Sequence, residues 1–298
     1  MIERSFAFGP DEGLIGTVCL PQHHQGVGAT IGVLLFNAGV VHRIGPHRIN
    51  VRLARQLAES GIPSIRFDLA GQGDSARSHG NLGFEEQAVK DIQAAMDCLG
   101  NMANVSRFAL FGFCSGGVHS FVTAKIDERV AGLLMYDTYI YPTLKSKVNR
   151  YIIKIRARGF VSSTLGWTKR QFLANFKRLR GEHKSDSTIA TMSQAGAFVQ
   201  PSAHEFAETV WRLHRLGMRI GVIYSGGFEQ YNYRNQFADA FKKYGLTEFV
   251  TSEFLHEMDH SATLVAQQLV FTETIKKWCV DLNQSISCTA IGAPSFDK

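Results

Sequence analysis

One stretch of the sequence restricts the fold more than any other: FALFGFCSGG, residues 108–117. An apolar run that stops at a Gly-x-Cys-x-Gly pentapeptide is typical of a strand that enters a sharp turn and continues as a helix. Such a turn holds the side chain at its apex where it can react. The sequence therefore predicts that the thiol of Cys114 lies at the apex.

The glycine spacing decides between two neighbouring nucleophiles. The positions two before and two after the apex must be small, because strand and helix pack closely around a strained residue. Gly112 and Gly116 stand at these positions around Cys114, whereas Phe113 would be one of them around Ser115. The spacing favours Cys114. Taken alone, the pentapeptide leaves a second interpretation open, since most cysteines without a partner are small buried hydrophobic residues.

Composition restricts the class of protein. A chain of 298 residues, 45% of them hydrophobic, can bury a substantial core. The N-terminal residues are charged and no run of 18 apolar residues occurs, so we expect neither a signal peptide nor a membrane-spanning helix. The five cysteines are odd in number and include no CxxC pair, which argues against a disulfide framework and a zinc site. We therefore expect a cytoplasmic protein.

Strand and helix patterns alternate along most of the chain, after an opening antiparallel pair at 3–8 and 13–20. Apolar runs predict further strands at 31–37, 63–68, 108–113, 130–137, 219–225 and 248–255. Helical periodicity predicts helices at 46–60, 83–99, 117–126, 203–216, 233–243 and 261–282. Alternation of this kind predicts an α/β fold with a mostly parallel central sheet and helices on both faces.

The alternation lapses for about sixty residues in the middle of the chain. We therefore divide the chain into a first core part at 1–137, an insertion at 138–200, a second core part at 201–283 and a flexible tail at 284–298.

The order of these features resembles the α/β-hydrolase superfamily over nearly the whole chain. The matching features are LLFNAG with its turn, the loop FDLAGQGDS, the cysteine turn, an insertion after the next strand and a late histidine. More narrowly, NAGVVHRIGPHR, YDTYIYPT, YSGGFEQYNYR and MDHSAT resemble small bacterial hydrolases encoded beside exosortase and exopolysaccharide genes. The resemblance implies an α/β-hydrolase fold in which the insertion is a helical cap.

A nucleophilic cysteine needs a base, and the base needs an acid that orients it. The resemblance places the base at His260, after the last predicted strand and at the start of the last helix. Two acids remain open. Glu229 matches the commoner position and the GG-x-E-x-YN pattern, and we favour it about two to one. Asp137 ends the strand after the cysteine turn, where some superfamily members carry the acid.

Acyl transfer also needs hydrogen-bond donors for the oxyanion. The resemblance assigns one to the backbone N–H of Ser115 and the other to the loop after the third strand, where we expect Val40 to supply it. The sequence contains no Walker loop, GxGxxG fingerprint or metal-ligand cluster, so we expect no cofactor and no metal.

A cysteine nucleophile indicates the reaction class. A thiolate forms a thioester intermediate, which suits activated esters, thioesters and lactones better than amides. Dienelactone hydrolases and polyhydroxyalkanoate synthases share the Gly-x-Cys-x-Gly turn. We therefore expect an ester, thioester or lactone hydrolase that acts on a small acyl substrate. The alternatives are an acyltransferase or cyclase with the same chemistry, and a binding protein on the same fold.

The insertion carries most of the positive charge. Between 138 and 200 there are twelve Lys or Arg against Glu182 and Asp186, a formal +10 in a chain of net +6. A charge run is most often a solvated helix face. The functional interpretation is attraction to an anionic or carrier-bound acyl substrate, or to an anionic surface. No nucleic-acid-binding module accompanies the charge, so we expect no nucleic-acid partner, and nothing indicates the oligomeric state.

Overall fold

The fold is taken from a computed structural model of the chain. It describes residues 1–22, 30–36, 39–158 and 199–291, without the side chains of 156–158 and 289–291. The strands are β1 (Ile2–Phe8), β2 (Leu14–Leu20), β3 (Ile31–Phe36), β4 (Ser64–Phe67), β5 (Arg107–Phe113), β6 (Val130–Tyr136), β7 (Arg219–Ser225) and β8 (Val250–Leu255). The helices are α1 (Ile49–Glu59), α2 (Phe84–Ala103), α3 (Ser115–Ala124), α4 (Leu144–Arg158), α5 (Ala203–Arg215), α6 (Gln236–Phe241) and α7 (Val265–Ile291).

The eight strands form one sheet in the order β1-β2-β4-β3-β5-β6-β7-β8. Strand β2 is antiparallel to both of its neighbours, and every other pair is parallel. The central strands are apolar along their whole length because both of their faces are covered. The predicted fold class, a mostly parallel sheet between helices, is confirmed.

Two hydrophobic cores lie on the two faces of the sheet. On one face, α1 and α7 cover the central strands with side chains that include Leu53, Leu57, Phe271 and Ile275. On the other face, α2, α3 and α5 contribute to a core that contains Ile92, Phe121 and Val210. None of the helices within the described ranges has an apolar stretch long enough to cross a membrane.

The C-terminal prediction differs from the structure. Helix α7 begins at Val265 and continues to Ile291, so the segment that we predicted as a flexible tail from 284 is helical for eight residues. The first glycine after the start of α7 is Gly292, and the hydroxyls of Ser285 and Ser287 bond back to carbonyls one turn earlier. The rest of the predicted tail, 292–298, and most of the predicted cap, 159–198, lie outside the described residues.

The parallel strands bring the ends of distant segments together. The last residues of β5, β6 and β7 lie side by side, since Phe113 pairs with Tyr136 and Tyr136 pairs with Ile223. Ser225 in turn pairs with Leu255 at the end of β8. The residues that follow these strands therefore meet at one edge of the sheet, and Cys114, Asp137 and His260 are all among them.

Glycine is required where β5 turns into α3. A Cβ at Gly112 would overlap the Cα of Gly117 and lie 2.7 Å from the carbonyl oxygen of Gly116. A Cβ at Gly117 would overlap the hydroxyl of Thr138. The residue that packs against Gly112 is therefore Gly117, one position beyond the Gly116 that the spacing argument singled out.

We expect Gly112→Ala to lower the free energy of unfolding by about 1–3 kcal/mol, because the added methyl group must displace backbone atoms of α3. Equilibrium denaturation in urea measures this change. Gly83→Ala is the matched control, since Gly83 has an ordinary φ of −64° and no atom lies within 4 Å of a Cβ added there. Equal effects of the two substitutions would contradict the close packing.

Candidate active site

The turn between β5 and α3 holds Cys114 in an unusual backbone conformation. Its φ is 54° and its ψ is −117°, a region that non-glycine residues avoid. The backbone around it is nevertheless bound on both sides: the Cys114 amide donates to the carbonyl of Tyr136 at 2.8 Å, and the Thr138 hydroxyl donates to the Cys114 carbonyl at 3.2 Å. The thiol is therefore held at the first turn of a helix, only partly buried.

The imidazole of His260 lies in the loop between β8 and α7. Three aromatic rings surround it: Phe228 edge-on at 4.7 Å between ring centres, Phe113 at 5.2 Å and Tyr136 stacked at 6.0 Å. The Tyr136 hydroxyl also donates to the backbone carbonyl of His260 at 3.2 Å. Neighbouring Asp259 accepts hydrogen bonds from the amides of Ser261 and Thr263 and so stabilises the MDHSAT turn. Both the ring and the backbone of His260 are fixed.

The carboxylate that contacts His260 belongs to Asp137. The Nδ1 of His260 lies 2.9 Å from Oδ2 of Asp137, whose side chain is fully buried. Burial by itself would lower the pKa of His260. Hydrogen bonds to Asp137 and to Cys114, together with their negative charges, outweigh burial and raise this pKa to about 9. The imidazole thus carries a proton at neutral pH.

Asp137 immediately follows β6 and, like Cys114, has a positive φ, here 48°. Its amide donates to the carbonyl of Ile223 in β7 at 2.9 Å. Its carboxylate accepts two further hydrogen bonds from Ser225, at the end of β7: one from the amide at 2.8 Å and one from the hydroxyl at 2.6 Å. The sequence analysis missed Ser225, although the position at the end of a strand beside β6 could have identified it.

Glu229, which we favoured as the orienting acid, does not contact His260. Its side chain is 59% exposed and pairs with the ammonium group of Lys154 in α4 at 3.0 Å. Asn232 bonds to the Glu229 carbonyl and to the Ser146 carbonyl. The structure therefore corrects the preference for Glu229 and places Asp137, the alternative, on the imidazole.

The physical reason lies in the two glycines that precede Glu229. A Cβ at Gly226 would overlap the carbonyl of His256, and one at Gly227 would lie 2.7 Å from the His260 amide. The glycines thus allow the loop with His260 to pack against the end of β7. The chain then turns outward to α4. The two glycines of the GG-x-E-x-YN pattern thus allow this close packing, and Glu229 and Asn232 of the same pattern anchor α4.

The amide that lies at the cysteine turn is that of Gly39. It donates to the hydroxyl of Ser115 at 2.7 Å. We had expected Val40 to supply the second oxyanion donor; the amide that contacts Ser115 in the structure is that of Gly39, one residue earlier. The side chain of Val40 is 90% exposed in the turn that follows. Two amides, those of Gly39 and Ser115, therefore belong to residues that meet beside Cys114.

Within the described residues, one group of side chains has the composition of a metal site: His42, Asp68 and Asp74. The guanidinium of Arg43 lies against all three, 2.5 Å from Asp68, 2.7 Å from Asp74 and 2.7 Å from the ring of His42. A resident cation of the protein itself thus occupies the position that a metal ion would need. The Arg43 amide also donates to Asp68, so the network fixes the loop after β3 against the loop after β4.

Comparison with protein-family models finds one match, described as serine aminopeptidase, S33, over residues 38–258. This range includes Cys114 and Asp137 and ends two residues before His260. A comparison with curated protein sequences finds no match.

Many solved structures share the fold. They include proline iminopeptidase from Mycobacterium smegmatis, with a TM-score of 0.58 and 14% identity over 96% of this chain and 100% of that chain. An esterase from Pyrococcus furiosus gives a TM-score of 0.56 and 12% identity over 95% and 90%. A serine hydrolase without a lid from Xanthomonas campestris gives 0.52 and 15% over 93% and 94%. At these identities the likeness establishes the fold.

We expect Asp137→Asn to lower the pKa of His260 from about 9 to its ordinary 6.5 or below, because the ring loses the charge that offsets its burial. A titration followed by NMR of a histidine-labelled protein measures this value without any substrate. Glu229→Gln is the matched control and should leave the pKa unchanged. A drop in Glu229→Gln with none in Asp137→Asn would return the orienting role to Glu229.

Proposed function

Because the chain belongs to the serine aminopeptidase S33 family of α/β hydrolases, we propose that it hydrolyses an ester, thioester or lactone through an acyl intermediate on Cys114. The observation that carries the proposal is the hydrogen-bonded series from Cys114 through His260 to the buried Asp137. Nucleophile, base and acid follow in the chain order Cys114, Asp137, His260, which is the hydrolase order of nucleophile, acid and base.

The proposed reaction begins with the proton on the imidazole and the negative charge on sulfur. The imidazolium of His260 and the N-terminus of α3 stabilise this charge. The thiolate attacks the carbonyl carbon, and the carbonyl oxygen becomes an oxyanion that accepts from the amides of Ser115 and Gly39. His260 then donates its proton to the leaving group as the C–O or C–S bond breaks, which leaves an acyl-cysteine.

Water completes the cycle. Neutral His260 accepts a proton from a water molecule, which attacks the thioester carbonyl. The acid is released, and the thiolate and imidazolium are restored. Before the first step can use the Gly39 amide, the Ser115 hydroxyl must release it, because the two are hydrogen-bonded in the absence of substrate. Asp137 keeps Nδ1 protonated, so that Nε2 faces the sulfur and the substrate.

The family description names a serine enzyme. The proposal differs from it in the nucleophilic atom, which is the sulfur of Cys114 in place of a serine hydroxyl oxygen. Thioester formation favours substrates with good leaving groups, which is why we propose esters, thioesters and lactones. The motifs NAGVVHRIGPHR and YSGGFEQYNYR further support kinship with the hydrolases encoded beside exosortase and exopolysaccharide genes. That kinship implies little about the substrate.

We also propose that the basic insertion attracts an anionic or carrier-bound acyl substrate. Its described part, α4, follows Asp137 closely and is joined to the loop of Phe228 by the pair of Lys154 and Glu229. Lys147 and Arg150 lie on α4, and no acidic side chain in the described part of the chain lies within salt-bridge distance of either. A positive field beside a site raises the local concentration of anions.

We expect a p-nitrophenyl ester or an acyl thioester to leave its acyl mass on the Cys114 peptide, and Cys114→Ala to abolish both the adduct and turnover. Intact-mass and peptide mass spectrometry measure the adduct. Burial raises the pKa of Cys19 to about 11 and of Cys279 to about 12, so neither should compete near neutral pH.

The exposed Cys288 is the matched control, and Cys288→Ala should leave adduct and turnover unchanged. An adduct on Ser115, or full turnover in Cys114→Ala, would contradict the proposal. An added alcohol or amine acceptor that captures the acyl group in place of water would redefine the enzyme as an acyltransferase.

We expect kcat/KM for an anionic acyl donor to fall as salt is raised, while that for a neutral short ester stays nearly constant, because the screening length contracts to roughly 8 Å at physiological ionic strength. Replacing both Lys147 and Arg150 with Gln should flatten the first curve. The control removes the same charge at the opposite edge of the sheet, with Gln in place of Lys242 and Lys243 just before β8. Parallel curves for the two substrates would mean that the basic residues of α4 form only a solvated helix face and do not attract the substrate.

A further inference from the structure

The end of β7 provides a residue that binds the carboxylate of Asp137 through both its amide and its hydroxyl. Ser225 is fully buried. Its amide donates to Oδ1 of Asp137 at 2.8 Å, and its hydroxyl donates to Oδ2 at 2.6 Å. The hydroxyl in turn accepts from the amide of Gly227 at 3.3 Å. One residue therefore binds both oxygens of the buried carboxylate.

The hydroxyl shares Oδ2 with the imidazole. His260 reaches the same oxygen at 2.9 Å, so Ser225 and His260 are two donors on one atom. Hydrogen bonds to a buried carboxylate stabilise its charge and fix its orientation. The strength of the contact between Asp137 and His260 thus depends on Ser225.

Two further features give this contact a role in orientation. Asp137 has a φ of 48°, a strained backbone conformation that persists only where surrounding contacts hold it. The Ser225 amide and hydroxyl bind the two oxygens together, which fixes the plane of the carboxylate. Rotation of that plane would move Oδ2 away from Nδ1.

We propose that Ser225 is a positioning residue of the active site: it fixes the plane of the Asp137 carboxylate toward His260. The inference rests on the proposed function of Cys114 and His260. Ser225 contacts neither the sulfur nor a substrate in this account, and it acts only through Asp137. The strand hydrogen bonds of β7 use backbone groups alone, so the sheet does not require a hydroxyl at this position.

Other ionisable groups face the same pair from the surrounding elements. Cys114 lies on the side of α3, Tyr136 ends β6, and Asp259 precedes His260 in its loop. Tyr224 of β7 is close enough for Asp137 to raise its pKa further, after burial has raised it well above the ordinary value. The test must therefore compare variants that leave these four groups unchanged.

The experiment uses Ser225→Ala in the full chain. Removal of a hydrogen bond to a charged group should reduce kcat by about ten- to a hundredfold with KM unchanged, since the lost bond orients the base and not the substrate. The pKa of His260, followed by NMR titration, should fall below that of the wild type, because a carboxylate that has rotated away from Nδ1 offsets the burial of the ring less. Ser225→Thr, which keeps the hydroxyl, should restore the wild-type pKa.

Ser120→Ala is the matched control. Ser120 is also a fully buried serine, and its hydroxyl donates to the Gly116 carbonyl at 2.9 Å, remote from Asp137 in its hydrogen bonding. It should lose stability only, with kcat and the pKa of His260 unchanged. If Ser225→Ala behaves in the same way, the positioning role is wrong. A His260 pKa that stays constant or rises in Ser225→Ala would overturn it as well, whatever happens to kcat.

The titration separates this inference from the proposed function. The pKa of His260 is measured without substrate, so it tests Ser225 even if Cys114→Ala retains turnover and the cysteine mechanism fails. Conversely, an acyl adduct on Cys114 together with an unmoved pKa in Ser225→Ala would keep the cysteine mechanism and remove the role of Ser225.

Discussion

One edge of the sheet, here called the active edge, holds Cys114, Asp137 and His260. Their arrangement depends on one buried charge, the carboxylate of Asp137. A carboxylate removed from water is costly unless donors surround it, and here the donors come from two segments that are far apart in the chain. Ser225 binds it from β7, and His260 binds it from the loop after β8. The carboxylate therefore links three segments: the end of β6, the end of β7 and the loop after β8. Its position determines the position of the imidazole.

Close approach of backbone makes this convergence feasible. Gly112 lets α3 pack on β5, which sets the position of Cys114. Gly226 and Gly227 let the loop of His260 pack on the end of β7. Both contacts exclude even a methyl group, and both lie at the edge where parallel strands end. The strained residues Cys114 and Asp137 stand in equivalent places, each one position after its strand. Strain is thus concentrated where the chemistry is proposed.

The sequence was sufficient for the sheet, for the position of Cys114 between a strand and a helix, and for the position of His260 after the last strand, because each depends on a local signal. Apolar runs indicate buried strands, and a Gly-x-Cys-x-Gly pentapeptide after such a run indicates a sharp turn into a helix. The choice of acid was different. Asp137 and Glu229 both follow strands that end at the active edge, so the pattern of strands could not separate them. The outcome depends on the direction of a loop after Gly227, which pattern alone does not reveal.

The two smaller differences have the same origin. The amide that contacts Ser115 belongs to Gly39, one residue before the predicted Val40, because the sequence of a turn does not indicate which of its amides makes such a contact. Helix α7 passed the predicted end at 282 because serines are weak stop signals, and their hydroxyls can bond to the preceding turn. In each case the type of element was predicted and its exact boundary depended on tertiary contacts.

The cysteine changes what the surrounding residues must do in the resting enzyme. With a serine, the hydroxyl and the imidazole are both neutral until the substrate reacts, and the buried carboxylate first meets a positive ring in the transition state. With a cysteine, the proton can rest on the imidazole beforehand, and the raised pKa of His260 corresponds to that arrangement. In the proposed mechanism, Asp137 then faces a cation before the substrate reacts. The contacts that would stabilise this arrangement are already in place, since the carboxylate binds the ring and Ser225 binds the carboxylate.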